Sequence, residues 1–138
     1  MTDPILQEMG GRLWRNREAS CNALSDLLQG RRWPDLKDKL SDIWSMTLRA
    51  VDDIKESVRG AAAILVKTLR NLTLRLCDPQ VTPSKEAGEA VGLALPLMLE
   101  KGKTACSSLN LYCVCGLTLV ITNALSDESA LCALLCCW

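Results

Sequence analysis

The sequence contains no histidine and no phenylalanine, and its aromatic residues are four tryptophans and one tyrosine. Without histidine, the chain alone cannot assemble a Ser-His-Asp or Cys-His nucleophile, a histidine general base or a zinc site with histidine ligands. Composition therefore excludes the classical hydrolase mechanisms. We predict no catalytic residue, no cofactor site and no enzymatic activity.

The sequence also lacks an excess of charge of either sign. Its 138 residues include 16 Lys and Arg against 16 Asp and Glu, with an isoelectric point near 6.3. A dedicated nucleic-acid-binding protein needs a basic surface to neutralise phosphates, so nucleic acid is not an expected partner. The length allows one domain at most, with a modest core.

The opening residues, 1–6, show no basic stretch followed by an apolar one, so no secretory signal peptide is predicted and an intracellular location is expected. Cysteine usage agrees over the first 103 residues, where Cys21 and Cys77 both fall in helical patterns. We expect each to be a small buried hydrophobic residue.

Composition changes abruptly near residue 103. Every basic residue lies between Arg12 and Lys103, whereas residues 104–126 carry no charge. Six of the eight cysteines follow Lys103. We therefore predict two segments, a helical one over residues 1–103 and a divergent, Cys-rich apolar tail over 104–138.

Apolar residues at spacings of three and four predict four helices in the first segment, over residues 14–29, 33–51, 54–76 and 84–101. The first would bury one face made of Ala19, Ala23, Leu24, Leu27 and Leu28, and the apolar face of the third would begin at Ile54 and continue through Val58. Prolines open the second and fourth helices, and Gly30 is suited to end the first. Pro96 lies inside the fourth helix and predicts a kink there.

The first and third predicted helices repeat each other at an offset of 42 residues, which aligns Arg17 with Arg59. A period of 42 falls within the roughly 40–47 residues of HEAT and armadillo helical pairs. The segment from Val51 to Ala62 resembles the turn within a HEAT repeat, which implies that Asp53 ends the turn and that Val58 and Arg59 open the third helix. An aspartate there caps free amides, and the small Ala62 allows close helix packing. One complete repeat would then span about residues 34–77, with partial repeats on either side.

The same residues resemble a known family. The stretch from Arg17 to Arg31, the segment Asp52 to Arg59 and the sequence Leu-Cys-Asp-Pro ending at Pro79 are similar to an inner part of the large HEAT-repeat proteasome adaptor and scaffold proteins. The resemblance covers about residues 12–102. It implies an all-α fold of HEAT/armadillo-like antiparallel helix pairs in a short α-solenoid segment, followed by an irregular or partly helical C-terminal tail.

The resemblance also implies a function. Proteins of this family are expected to be non-catalytic scaffolds that bind proteasome subunits, tether the core particle to the regulatory particle and link proteasomes to other cellular structures. Other proteins would bind through the solenoid face. The implied location is cytoplasmic and nuclear, with association with endomembranes.

Two departures from the repeat pattern modify this expectation. Gly11 stands where the offset demands the turn aspartate that matches Asp53, and Asn16 stands where Val58 has its partner. We therefore expect the first repeat to lack its first helix and its normal turn. The tail from Thr104 onward has none of the pattern, so the chain is expected to be a fragment or variant. With one complete repeat and open apolar faces, it is expected to be marginally stable and prone to self-association.

The tail allows competing interpretations. Its cysteines could hold a metal, but they lack the paired Cys-x-x-Cys knuckles of zinc sites, so free thiols are favoured and no metal is predicted. The 23 uncharged residues 104–126 are long enough to cross a bilayer. A small membrane-associated helical protein anchored through this stretch is therefore the alternative function. Polar residues dilute the stretch, which favours a β-prone or loosely helical tail.

Three tryptophans occupy the helical segment. Trp44 has helical spacing with its apolar neighbours and is assigned to the core. Trp14 and Trp33 are the candidate interface residues, because exposed aromatic side chains often anchor protein partners.

Overall fold

The computed structural model describes residues 2–104, and the side chains of residues 2–97. This part of the chain contains six helices and no strand: α1 (Thr2–Met9), α2 (Trp14–Leu28), α3 (Trp33–Leu36), α4 (Leu40–Val51), α5 (Glu56–Cys77) and α6 (Ser84–Thr104). The prediction of an all-α fold is confirmed. Short turns join successive helices, as expected of a segment built from helical repeats.

The second predicted helix is interrupted. Residues 37–39 form a turn between α3 and α4, in which the Lys39 amide donates to the Leu36 carbonyl at 2.9 Å. Hydrogen bonding resumes at once, because the Lys39 carbonyl accepts from the Ile43 amide at 2.9 Å. The apolar spacing continues across the break, which is why the periodicity predicted a single helix.

A helix that the repeat pattern did not predict lies at the start of the chain. α1 packs against α2 and α4, and buries Leu6 and Met9. The Lys39 side chain also forms an ion pair with Asp3 of α1 at 2.5 Å. The expectation that the first repeat lacks its first helix is therefore wrong. This helix is only 8 residues long and contains Pro4, so its apolar period was too short to detect.

The chain divides into two compact units, Met1–Leu72 and Thr73–Trp138, and the boundary falls inside α5. The core of the first unit is mostly aliphatic and includes two tryptophans and a few small polar residues. Its largest fully buried side chains are Trp44, Leu24, Leu28, Leu40, Ile43, Leu65, Leu69, Val58 and Thr47. The Thr47 hydroxyl is satisfied locally, because it donates to the Ile43 carbonyl at 2.7 Å.

The buried face of α2 is rotated relative to the predicted one. Ala19 and Ala23 are exposed, whereas Ser20, Cys21 and Ser25 are buried. The Ser25 hydroxyl lies 2.9 Å from the Thr68 hydroxyl, which joins α2 to α5 through a polar contact. Small polar residues thus take the place that the alanines were expected to fill.

α2 ends at a glycine in the left-handed region. Gly30 has φ +74°, and its neighbour Arg31 donates its amide to the Leu28 carbonyl at 3.3 Å. Residues with a side chain rarely adopt this φ, so glycine ends the helix here as predicted.

The described part of the second unit runs from Thr73 to Thr104. The Thr82 hydroxyl donates to the Arg75 carbonyl at 2.8 Å and closes the turn between α5 and α6. Over residues 84–97 of α6, the buried side chains are Ala87, Ala90, Val91, Ala94 and Leu97. α6 continues through Pro96 to Thr104, and the predicted kink stays a prediction.

Candidate functional site

Two turns of the first unit meet at the side chain of Arg17. Its Nε donates to Asp53 Oδ2 at 2.7 Å and its Nη2 donates to Asp53 Oδ1 at 3.0 Å. Its Nη1 donates to the carbonyls of Gly11 and Arg12, both at 3.0 Å. One guanidinium therefore binds the turn before α2 and the turn before α5.

The Arg17–Asp53 pair is largely shielded from water, with side chains 13% and 10% exposed. A two-pronged hydrogen bond between guanidinium and carboxylate is among the stronger polar contacts in proteins. The hydrogen bond from Arg17 lowers the pKa of Asp53, and the Lys55 amide, which donates to Asp53 Oδ1 at 2.9 Å, lowers it further. The same pairing raises the pKa of Arg17.

Asp53 therefore has two structural roles. It accepts the Lys55 amide just before α5 begins, which is the predicted cap of the turn. It also forms an ion pair with an arginine 36 residues earlier in the chain. The repeat pattern predicts both residues as signature positions but does not predict that they bind each other.

Arg59 copies part of this geometry at the offset of 42. Its Nη1 donates to the Asp53 carbonyl at 2.7 Å, as Nη1 of Arg17 donates to the Gly11 carbonyl. Gly11 and Asp53 are the positions that the offset aligns. The two arginines thus make equivalent contacts to equivalent turns, which supports the repeat register in the first unit.

Val58 and Ala62 are both 0% exposed, so these two signature positions lie in the core of the first unit. Ile54 was placed on the same apolar face and is instead 88% exposed. The reason is that α5 begins at Glu56, which leaves Ile54 in the preceding turn, where its side chain points to solvent.

Trp14 lies at the start of α2, half-buried and close to two cations. The Arg15 guanidinium carbon is 5.0 Å from the centre of the Trp14 ring, and Lys55 Nζ is 6.0 Å from it. Two exposed apolar side chains flank this arrangement, Leu13 at 66% and Ile54 at 88% exposure. The sequence pattern predicts Trp14 as an interface residue. It does not predict the residues around Trp14, because they come together only across the two turns.

Trp33 is 4% exposed, so the expectation that it lies on the surface is wrong. It begins α3, and Leu36, one turn later on the same face, is 2% exposed. The apolar face of α4 therefore extends back through α3, and Trp33 belongs to it. Trp44 is 1% exposed, and its assignment to the core is confirmed.

Cys21 and Cys77 are buried thiols with 0% and 5% exposure, as predicted. Burial raises the pKa of each to about 11, so neither is suited to nucleophilic chemistry near neutral pH. Among residues 2–97, no three metal-ligating side chains come together. The cysteines that raised the question of a metal site lie outside the described residues.

In the described part of the chain, no helix has the length and apolar character to span a membrane. The predicted alternative anchor, residues 104–126, lies outside the described residues except for Thr104.

Three curated proteins are similar to this chain. Proteasome adapter and scaffold protein ECM29 of Homo sapiens is 43% identical over 99 residues, which is 71% of this chain and 5% of the relative. Proteasome component ecm29 of Schizosaccharomyces pombe is 35% identical over 105 residues, covering 72% of this chain and 6% of the relative. Proteasome component ECM29 of Saccharomyces cerevisiae is 36% identical over 85 residues, covering 60% and 5%.

The resemblance to the proteasome adaptor and scaffold proteins is confirmed. The chain spans only about a twentieth of the length of these relatives. No protein-family model matches the chain. No solved structure matches it either.

Proposed function

We propose that this chain is a segment of a proteasome adaptor and scaffold, and that it binds protein partners through its helical repeats without catalysing a reaction. The observation that carries the proposal is the 43% identity over 99 residues to a protein named as a proteasome adapter and scaffold. The Arg17–Asp53 pair supports it, because a contact that joins successive turns suits a repeat whose task is to hold a shape.

The proposed partners are subunits of the proteasome core and regulatory particles, with other proteins bound on the exposed faces of the repeats. The proposed location is the cytoplasm and nucleus, with endomembrane association. The absence of histidine from the whole sequence supports a role without catalysis.

The sharpest test exchanges segments. The 99 residues of the human relative that align with this chain would be replaced by the matching residues of this chain, and assembled proteasomes would be captured with the chimera. We expect capture equal to that of the unmodified relative. A chimera that folds but no longer captures proteasomes would contradict the proposal.

The isolated chain should bind more weakly than the complete scaffold, because each solenoid repeat contacts only its neighbours and few repeats offer little surface. A pull-down of proteasomes would compare the full chain, a chain truncated after Lys103 and a chain with a scrambled tail. Tight, stoichiometric capture by the truncated chain would show that these helices carry a complete binding site, and would overturn the fragment interpretation.

A further inference from the structure

The two turns joined by Arg17 create an exposed surface that the scaffold role does not explain. We call it the turn surface and define it by Leu13, Trp14, Arg15, Ile54 and Lys55. Ile54 is 88% exposed and Leu13 is 66% exposed, the two highest exposures among the large exposed hydrophobic residues of the described chain. The cations of Arg15 and Lys55 both lie within 6.0 Å of the Trp14 ring centre.

The charge of this surface is not neutralised by ion pairs. The ion pairs Arg17–Asp53 and Lys39–Asp3 of residues 2–97 involve neither Arg15 nor Lys55. Asp53 lies two residues before Lys55, and its carboxylate is occupied by Arg17. Two like charges are therefore held near one indole ring, an arrangement that an added carboxylate would stabilise.

We propose that the turn surface is a docking site for an acidic peptide segment of a partner protein that carries one apolar side chain. Carboxylates of the peptide would bind between Arg15 and Lys55, and its apolar side chain would pack on Leu13 and Ile54. An indole flanked by cations and aliphatic side chains has the composition of a protein-interface anchor.

Hydrogen bonds hold the backbone on both sides of the turn surface. Arg17 ties the backbone at Gly11 and Arg12 to Asp53, and the Lys55 amide is bound to Asp53 Oδ1. The backbone on both sides of the surface is thus held before a peptide binds, which reduces the entropy lost on binding. This inference is independent of the proteasome role, since it concerns one surface and one peptide chemistry.

The test measures binding of a fluorescein-labelled peptide, six glutamates around a single leucine, to the full chain by fluorescence polarisation. We expect saturable binding that weakens as salt is raised, because the carboxylates bind at exposed cations. A peptide with glutamines in place of the glutamates should not bind. A peptide with glycine in place of the leucine should bind more weakly.

Matched variants locate the site. Lys55→Glu should weaken binding about tenfold, and Ile54→Ser should weaken it severalfold. Lys67→Glu and Ile64→Ser alter an exposed lysine and a 57% exposed isoleucine on α5, away from the turn, and should leave binding unchanged. All four positions are exposed, and circular dichroism would verify that each variant keeps its helices.

Equal losses from the turn variants and the α5 variants would show attraction to general positive charge and would overturn the proposal. Unchanged binding by Lys55→Glu would do the same. A further experiment measures binding of the chain to vesicles that contain anionic lipid. If the chain binds the vesicles through Ile54 and Lys55 but does not bind the peptide, the surface contacts membranes and the proposal is wrong. None of these results bears on proteasome capture by the chimera described above.

Discussion

At the residue scale, Arg17 is the side chain on which the local arrangement depends. It contacts two carbonyls of one turn and both carboxylate oxygens of Asp53 on another. The geometry uses the planar fork of arginine, which a lysine cannot reproduce. Arg59 repeats the carbonyl contact one repeat later. Arginine at two equivalent positions therefore makes the same hydrogen bond to a carbonyl of the preceding turn.

The first prediction concerns the pH dependence of the Arg17–Asp53 pair. The pKa of Asp53 is lowered, chiefly by its hydrogen bond to Arg17. A carboxyl group with a lowered pKa stabilises the folded state above its unfolded pKa of about 3.9, and this contribution is lost as pH falls through the lowered value. Urea unfolding at several pH values should therefore show a smaller loss of stability in acid for Asp53→Asn than for the wild type.

The control for this prediction is Asp26→Asn, which removes an exposed carboxylate from α2 and should keep the wild-type acid profile. If Asp53→Asn follows the wild-type profile throughout, the pair contributes nothing to the pH dependence of folding. That result would contradict the assigned role of Asp53.

The second prediction concerns Val58, which is 0% exposed at the start of α5. Val58→Asp places a charge in an apolar interior without a partner and should lower the free energy of unfolding by about 3 kcal/mol or more. Ser57→Asp is the matched control, because it adds the same side chain one position earlier at an exposed site. Lys55→Ala should also cost little. Urea melts that give equal losses for positions 57 and 58 would show that the buried face is assigned wrongly.

At the element scale, long helices with a clear apolar period were predictable and short or interrupted ones were not. α2, α5 and α6 follow the predicted spans closely. The turn at residues 37–39 has the sequence Lys-Asp-Lys, without the glycine or proline that normally marks a break. The spacing of apolar residues also predicts that Ile54 lies inside α5. This spacing cannot distinguish a residue of the preceding turn from a residue at the start of the helix.

The candidate site shows the same division. The repeat offset and the turn chemistry predict the signature positions Arg17, Asp53, Val58, Arg59 and Ala62, and their role as a signature stays a prediction. Their contacts could not be predicted, because Arg17 and Asp53 are 36 residues apart and no local pattern specifies which of several acids an arginine binds. Burial of Trp33 also depends on packing across elements, which a tryptophan next to a proline does not reveal.

The third prediction uses two glycines in different backbone conformations. Gly30 has φ +74° and space around its α carbon, so Gly30→Ala should destabilise by about 1 kcal/mol through backbone strain alone. Gly60 lies within α5 with equal space, so Gly60→Ala should stabilise by about 0.5 to 1 kcal/mol. Thermal or urea unfolding would measure both. Changes of the same sign would contradict the proposed end of α2.

At the scale of the whole molecule, sequence and structure divide the chain at different places. Composition changes near Lys103, whereas the first compact unit ends at Leu72 and the second begins at Thr73. The second division falls within α5 and follows the contacts between residues, which composition does not specify. The predicted domain boundary at residue 103 and the proposed repeat limits of about 34–77 therefore stay predictions.

The fourth prediction concerns the tail. We expect a chain truncated after Lys103 to keep the helical circular dichroism of the repeat segment and to remain in the supernatant after ultracentrifugation without detergent. The physical reason is that no charged side chain of residues 2–97 is buried, so these helices present their charges to solvent. The full chain serves as the comparison. A strand-dominated spectrum for the truncated chain, or its recovery only with detergent, would contradict this expectation.

Gly11 has little space for a side chain. A Cβ atom built there would lie 3.0 Å from the carbonyl oxygen of Glu8, closer than side chains normally approach backbone. The aspartate that the repeat offset calls for therefore could not be introduced at Gly11 without moving the end of α1. The turn before α2 accepts hydrogen bonds from Arg17 through its backbone but offers no acid to a neighbouring arginine. The ion pair between the turn before α2 and the turn before α5 therefore takes its carboxylate from Asp53 of the later turn and its guanidinium from Arg17 of α2.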